Sequence, residues 1–222
     1  MVKKKRKVFK LEDHATVKKY LELTGTEFPG ESLFEKLITL WNCNGLLNRI
    51  RTFLFKFFNN TLGINTRLSH FVQGHTRSCV FCVINGTVPP PDESFKHIFL
   101  DCPAVRIWHN NFISKYLPPN FIRNEQDRID LFFLGRVHEP LSDNFFVTLS
   151  CFIFQYTIWD ARLRKKIPSF NSLDLLFQEI VQSLLRTNSL ARKSKTKANY
   201  FMFRNLGDGD GPEGPEPGHG PE

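Results

Sequence analysis

At 222 residues, with 41% hydrophobic and 14% aromatic residues and 23 phenylalanines, the chain has enough apolar mass for one sizeable core and too much for a linker. Its formal charge of +8 hides a division: Leu206 to Glu222 carries five acids and no Lys or Arg, so the remainder carries +13. No apolar run reaches membrane-spanning length without a polar break, so no membrane partner is expected, and the basic remainder points to a polyanion such as nucleic acid.

In chain order, residues 1–10 hold Lys3-Lys4-Lys5-Arg6-Lys7 between Val2 and Val8. This self-repelling block is similar to a nuclear localisation signal and predicts a nuclear address. Residues 11–30 read as an N-terminal lead-in, and residues 31–120 as the first helical unit. A helix is predicted from Leu33 to Trp41, where Leu33, Phe34, Leu37, Ile38 and Trp41 recur at helical spacing behind Ser32 as N-cap. A second spans Leu46 to Asn59, with Leu46, Leu47, Ile50, Phe53, Leu54, Phe57 and Phe58 inward and Arg49, Arg51 and Lys56 outward. Gly63 is the expected left-handed residue after it, and a short helix is expected near Arg67.

The next segment carries the most specific signal. Cys79 and Cys82 form a Cys-x2-Cys pair, and fourteen residues later His97 and Cys102 form His-x4-Cys. Zn²⁺ takes four N/S donors in a tetrahedron, and two ligand pairs separated by a short excursion supply them. Buried free thiols are the plain alternative for a lone pair of cysteines; the second pair favours metal. A redox reading of Cys79-Val80-Phe81-Cys82 needs a βαβ context that the sequence lacks. A basic start without a secretory signal, together with five cysteines, argues against disulfides. His75, in a polar loop, and His109, which breaks the His-x4-Cys spacing, are rejected as ligands. His70 is assigned to surface or packing, and Cys43 and Cys151 to core or half-buried positions. Asn85-Gly86 and Pro89-Pro90-Pro91 mark the excursion as turn and loop. Glu93 to Phe99 should begin a helical turn that presents His97, and Pro103 should open a helix burying Trp108 and Phe112.

Residues 121–190 are expected to add a C-terminal helical pair. One helix runs from Asn144 to Arg164, capped by Ser142 or Asp143, with Phe145, Leu149, Phe152, Ile153, Tyr156 and Trp159 inward. The other follows Pro168 and a Ser/Asn cap, with Leu173, Leu176, Phe177, Ile180, Val181, Leu184 and Leu185. Residues 191–222 pass from basic (Arg192 to Lys197) to an acidic Gly/Pro-rich run that reads as disordered. The fold class is therefore mostly α: a helical domain with one structural zinc knuckle and disordered termini.

The stretch from Ile50 to Trp108 resembles the zinc-binding domain that lies C-terminal to the polymerase in reverse transcriptases of LINE-type (non-LTR) retrotransposons. The matching residues are Phe53, Phe57, Asn60, Leu62, Leu68, Cys79, Cys82, Glu93, His97, Phe99, Cys102, Pro103 and Trp108. Ile158-Trp159-Asp160-Ala161-Arg162 resembles a helix found further downstream in such reading frames. The likeness covers roughly residues 31–185 and implies a module that holds template RNA or target DNA, with other retroelement proteins as possible partners.

No adjacent aspartate pair exists to hold Mg²⁺ for nucleotidyl transfer, and no Walker-type loop or Gly-x-Ser-x-Gly elbow is present. The expected function is thus non-catalytic: a structural Zn²⁺ on Cys79, Cys82, His97 and Cys102, and nucleic acid held mainly through phosphates. Arg49, Arg51, Lys56, Arg67 and Arg77 are the expected phosphate contacts, with Lys96 and Arg106 at the edge. Arg162, Arg164, Lys165 and Lys166 form either a second patch or an ordinary solvated helix end. The alternatives are a stand-alone protein-docking module derived from a retroelement and, with less in its favour, a metal-dependent nuclease.

Overall fold

The computed structural model of the protein describes residues 14–28, 45–117, 122–136 and 145–187. The predicted helix from Leu33 to Trp41, the caps Ser142 and Asp143, Cys43, the basic start and the tail lie outside these residues. The described part is mostly helical and has no strand; its β-type pairing is an isolated antiparallel bridge between Ser78 and Asp92. The helices are α1 (Ala15–Thr24), α2 (Asn48–Phe58), α3 (Asn65–Leu68), α4 (Val80–Ile84), a π-helix (His97–Asp101), α5 (Pro103–Tyr116), α6 (Glu125–Leu134), α7 (Phe145–Leu163) and α8 (Phe170–Arg186).

Helix α2 forms where the apolar period required it, burying Ile50, Phe53, Leu54 and Phe57. Its stripe meets Phe95 and Phe99, which flank the start of the π-helix, and Phe133 of α6, with ring centroids 5.0, 5.1 and 5.6 Å from Phe57. Each such aromatic pair adds about 0.5–1.5 kcal/mol beyond area burial. The turn after α2 is made differently from the sequence expectation. Asn60, not Gly63, takes the left-handed conformation (φ 51°), and Thr61 N–H closes onto the Lys56 carbonyl at 2.8 Å. Asparagine tolerates that region better than most residues.

Two helices correct the sequence reading. The lead-in contains α1, which packs on α6. The Tyr20 hydroxyl donates to Asp130 Oδ1 (2.8 Å), and the Thr16 hydroxyl donates to the Phe58 carbonyl (2.8 Å), satisfying an acceptor that the end of α2 leaves open. The expected C-terminal pair is accompanied by α6, so three described helices follow α5. Helix α6 is the hub, packed on α1, the π-helix and α7, and every residue from Asp127 to Leu134 is buried. It is capped by Asn124, whose side chain accepts from Asp127 N–H, and it stops at Gly135 (φ 62°). A Cβ on Gly135 would lie 2.8 Å from Thr148 Cγ2 of α7, so both its dihedral and its space require glycine.

Burying α6 on all sides requires partners for its charges. Arg128 donates to the Leu100 carbonyl (2.6 Å) and to His109 Nδ1 (3.0 Å), and also pairs with Glu125. Because guanidinium only donates, Nδ1 must accept, so the proton of neutral His109 sits on Nε2. That atom is buried and has no hydrogen-bond partner among the described residues, and the ring stacks on Phe132 at 3.9 Å. Burial, then the Arg128 and Arg106 charges, hold His109 well below the ordinary histidine value of 6.5. The unfolded chain therefore binds this proton more readily than the folded one. The resulting stability is present above pH 6.5 and is lost as pH falls below it, at up to about 1.4 kcal/mol per pH unit. Denaturation midpoints measured between pH 7 and 5 should fall less steeply for His109→Gln than for wild type. Parallel slopes would contradict the assignment.

Candidate metal centre

Three local structures bring the four predicted ligands together. Cys79 is the N-cap residue of α4, and Cys82 lies within that helix. The excursion to the second pair is closed at its base by Cys79 N–H to the Pro91 carbonyl (2.8 Å) and Glu93 N–H to the Arg77 carbonyl (2.7 Å), around the Ser78–Asp92 bridge. His97 opens the π-helix, and Cys102, the N-cap residue of α5, follows it. The defining i to i+5 bond runs from Cys102 N–H to the His97 carbonyl at 2.6 Å. Five residues along an α-helix diverge by about 140° at 3.6 residues per turn, and the wider π turn reduces that divergence, turning both ligands toward one point. Pro103 then starts α5 at the position where a missing N–H costs nothing.

The Cys79, Cys82 and Cys102 sulfurs and a His97 ring nitrogen all lie within 4.8 Å of one another, with the cysteines buried and His97 half-buried. The Sγ···Sγ distances are 3.9 Å (Cys79–Cys102) and 3.7 Å (Cys82–Cys102), and Cys82 Sγ lies 3.4 Å from His97 Nε2. A tetrahedral ion with metal–sulfur bonds of about 2.3 Å and metal–nitrogen bonds of about 2.0–2.1 Å has S···S edges near 3.8 Å and S···N edges near 3.6 Å. The cluster fits those edges, and all four cysteines of the described residues are free of disulfides.

The thiols are electrostatically coupled. The Cys79 thiol is pushed up to about 12, chiefly by its hydrogen bond with Cys102 and then by burial. Cys82 is raised by burial first and by Cys79 second. Cys102 is lowered because it accepts from Cys79, against the opposing effect of burial. A bound cation would replace the S–H protons, so metal uptake releases protons. Of the other candidates, His75 turns away to Asn65 Oδ1 (3.0 Å), His109 is committed to Arg128, and Cys151 is fully buried in α7 with its thiol pushed well up by burial.

Beneath the cluster lies a buried polar knot that sequence reasoning missed. Glu93 is fully buried; its Oε1 accepts from Asn65 N–H (2.8 Å), Arg162 Nε (3.1 Å) and Arg162 Nη2 (2.7 Å), and its Oε2 from Val80 N–H (3.3 Å). Asn65 Oδ1 takes a further bond from Arg162 Nη2 (2.7 Å), and its amide donates to the Ser78 carbonyl (2.7 Å). The sequence leaves Arg162, with Arg164, Lys165 and Lys166, open between a second cationic patch and a solvated helix end. Arg162 is instead buried, tying α7 to the turn that carries Cys79 and Cys82, while its three neighbours are exposed.

The residues predicted to meet nucleic acid stand beside different elements. Arg49 reaches Glu179 of α8 (2.6 Å), Arg77 reaches Asp92 (2.8 Å), Lys96 reaches Asp101 (3.7 Å) and Arg106 reaches Glu125 (3.3 Å). Arg67 donates to the Leu62 carbonyl (2.9 Å), Arg51 is half-buried, and Lys56 is exposed near the end of α2. Exposed pairs of this kind contribute about 0–1 kcal/mol, so a phosphate can compete for the cations. Arg49 also lines a cleft of about 560 Å³ with Arg164, Lys166, Asp160 and Glu179, whose mixed charge does not select one sign of ligand.

Fold and site together define a mostly helical protein with a buried Cys3His cluster that can hold a metal ion. No family model, no curated protein and no solved structure matches this chain.

Proposed function

We propose that the chain is a non-catalytic nucleic-acid-binding module built around a structural Zn²⁺, similar to the region C-terminal to the polymerase in a LINE-type reverse transcriptase and acting in the nucleus during retrotransposition. The observation that carries the reading is the four-ligand cluster of Cys79, Cys82, His97 and Cys102. Three sulfurs and one nitrogen at tetrahedral separations suit Zn²⁺, whereas oxygen-preferring Mg²⁺ and Ca²⁺ lack their donors. When bound, the ion would be fully coordinated by protein, leaving no place for a catalytic water. Its work is then to fix the excursion and the π-helix against α2. The +13 charge outside the acidic tail supports a polyanionic partner, and the Lys3 to Lys7 block supports nuclear import.

Binding should be salt-dependent. Replacing Arg77 and Lys96 with Ala should lower the magnitude of the log–log salt slope by about 1.4 to 1.8 if each contacts one phosphate. The loss should be similar across sequences, because phosphate contacts carry no base information. Filter binding across a salt series checks this. A slope near zero in the wild type would favour the second reading, a protein-docking module, which the carboxylate pairing of Arg49, Arg77, Lys96 and Arg106 supports.

A further inference from the structure

The turn between α3 and the Cys-x2-Cys pair has a composition and a shape that the metal centre does not use. From Asn65 to Arg77 the chain carries Arg67, His70, His75 and Arg77 and no acid. At its tip Phe71 is 82% exposed, although most described phenylalanines lie in the core; Phe55, the other exposed one, reaches 54%. Val72 beside it is 49% exposed, and the Gln73 amide is exposed as well.

The turn that exposes this ring is held in place. Phe71 and Val72 N–H groups both donate to the Leu68 carbonyl (3.0 and 2.9 Å), and His75 N–H donates to the Val72 carbonyl (3.1 Å). The Ser69 hydroxyl donates to the Thr66 carbonyl (2.9 Å), and Gly74 supplies the left-handed residue (φ 76°). Both ends are fastened to the buried knot: Asn65 bonds Arg162 and Ser78, and the His75 ring meets Asn65 Oδ1. A phenyl ring presented to water on an anchored turn, with Arg67 and Arg77 on either side of it in sequence, suits an unpaired base and its phosphates; Arg77 meets Asp92 (2.8 Å) in an exposed pair that a phosphate can displace, and Arg67 donates to the Leu62 carbonyl (2.9 Å). A duplex keeps its base faces stacked and offers such a ring nothing.

We infer that Phe71 is a stacking platform for single-stranded nucleic acid, with Arg67 and Arg77 taking the flanking phosphates and Gln73 within reach of a base edge. This rests on the nucleic-acid reading above and narrows it to unpaired strands. A second copy of the chain is a poorer occupant. Phe71 and Val72 alone supply far less than the roughly 1,200–2,000 Å² that a stable protein interface buries.

The test compares zinc-loaded wild type, Phe71→Ala and Phe71→Trp for binding to an oligothymidylate and to a duplex of equal length. Sedimentation of each protein accompanies the titrations. Phe71→Ala should weaken single-strand binding about 5- to 150-fold while leaving duplex affinity within about twofold. Phe71→Trp should keep single-strand affinity and show fluorescence quenching by the oligonucleotide that wild type lacks. Equal single-strand affinity for wild type and Phe71→Ala overturns the platform but leaves salt-dependent nucleic-acid binding standing. A wild type that binds neither probe overturns the broader reading and the platform with it. A wild-type dimer that Phe71→Ala converts to monomer assigns the ring to a contact between copies and likewise overturns the platform.

Discussion

Replacing Arg162 with Leu should cost about 3–5 kcal/mol of folding stability, because Glu93 would be left with a buried charge and no cation beside it. Arg162 is 8% and Glu93 0% exposed, so water cannot take over the lost bonds without opening the structure. A domain of ordinary stability has about 5–15 kcal/mol in all, so the loss should be at least about a fifth of the total. The damage should spread to the metal cluster, since Glu93 also holds the amides of Asn65 and Val80. The double variant Glu93→Gln/Arg162→Leu should recover part of the loss, because removing both charges avoids the unpaired one. Urea denaturation of the metal-loaded single and double variants checks this. A single variant within about 1 kcal/mol of wild type would show that the buried pair does not hold α7 to the cysteine turn.

Substituting Cys102 with Ser should have a still larger effect on residues 79–102, which carry the candidate metal cluster. Cys102 is fully buried, terminates the π-helix and begins α5, so its loss removes a candidate ligand and a junction together. Metal binding contributes about 10–16 kcal/mol in isolated finger peptides. Here the aromatic core of Phe132, Phe133, Phe152 and Phe154, which lies outside that segment, supplies part of the stability independently, so chelation should loosen residues 79–102 before it melts α7 and α8. Hydrogen exchange with and without chelator should show protection lost first in the excursion and π-helix. Uniform loss across all helices would mean that the core cannot stand without the ion.

The parts of this structure legible in the sequence are those encoded by local spacing. Paired ligand intervals identified Cys79, Cys82, His97 and Cys102, and a one-sided apolar stripe identified α2 and α8. Helix α6 was missed because it is buried all round and so has no polar face to give a period. Helix α1 was missed for a different reason: its buried stripe includes Thr16 and Lys19, and the latter lays its stem inward, placing Nζ 5.4 Å from the Phe95 ring centre. The role of Arg162 was hidden because its partners Glu93 and Asn65 are 69 and 97 residues away. The π-helix left no local signature either; its extra width answers the demand that His97 and Cys102 face one centre.

Elemental analysis of the purified protein beside its Cys82→Ser and Cys151→Ser variants decides whether Cys79, Cys82, His97 and Cys102 hold one structural zinc ion. One zinc per chain is expected in wild type and in Cys151→Ser, and loss of zinc in Cys82→Ser. Full zinc occupancy in Cys82→Ser, or a wild type that takes up no zinc under reducing conditions, would contradict that assignment.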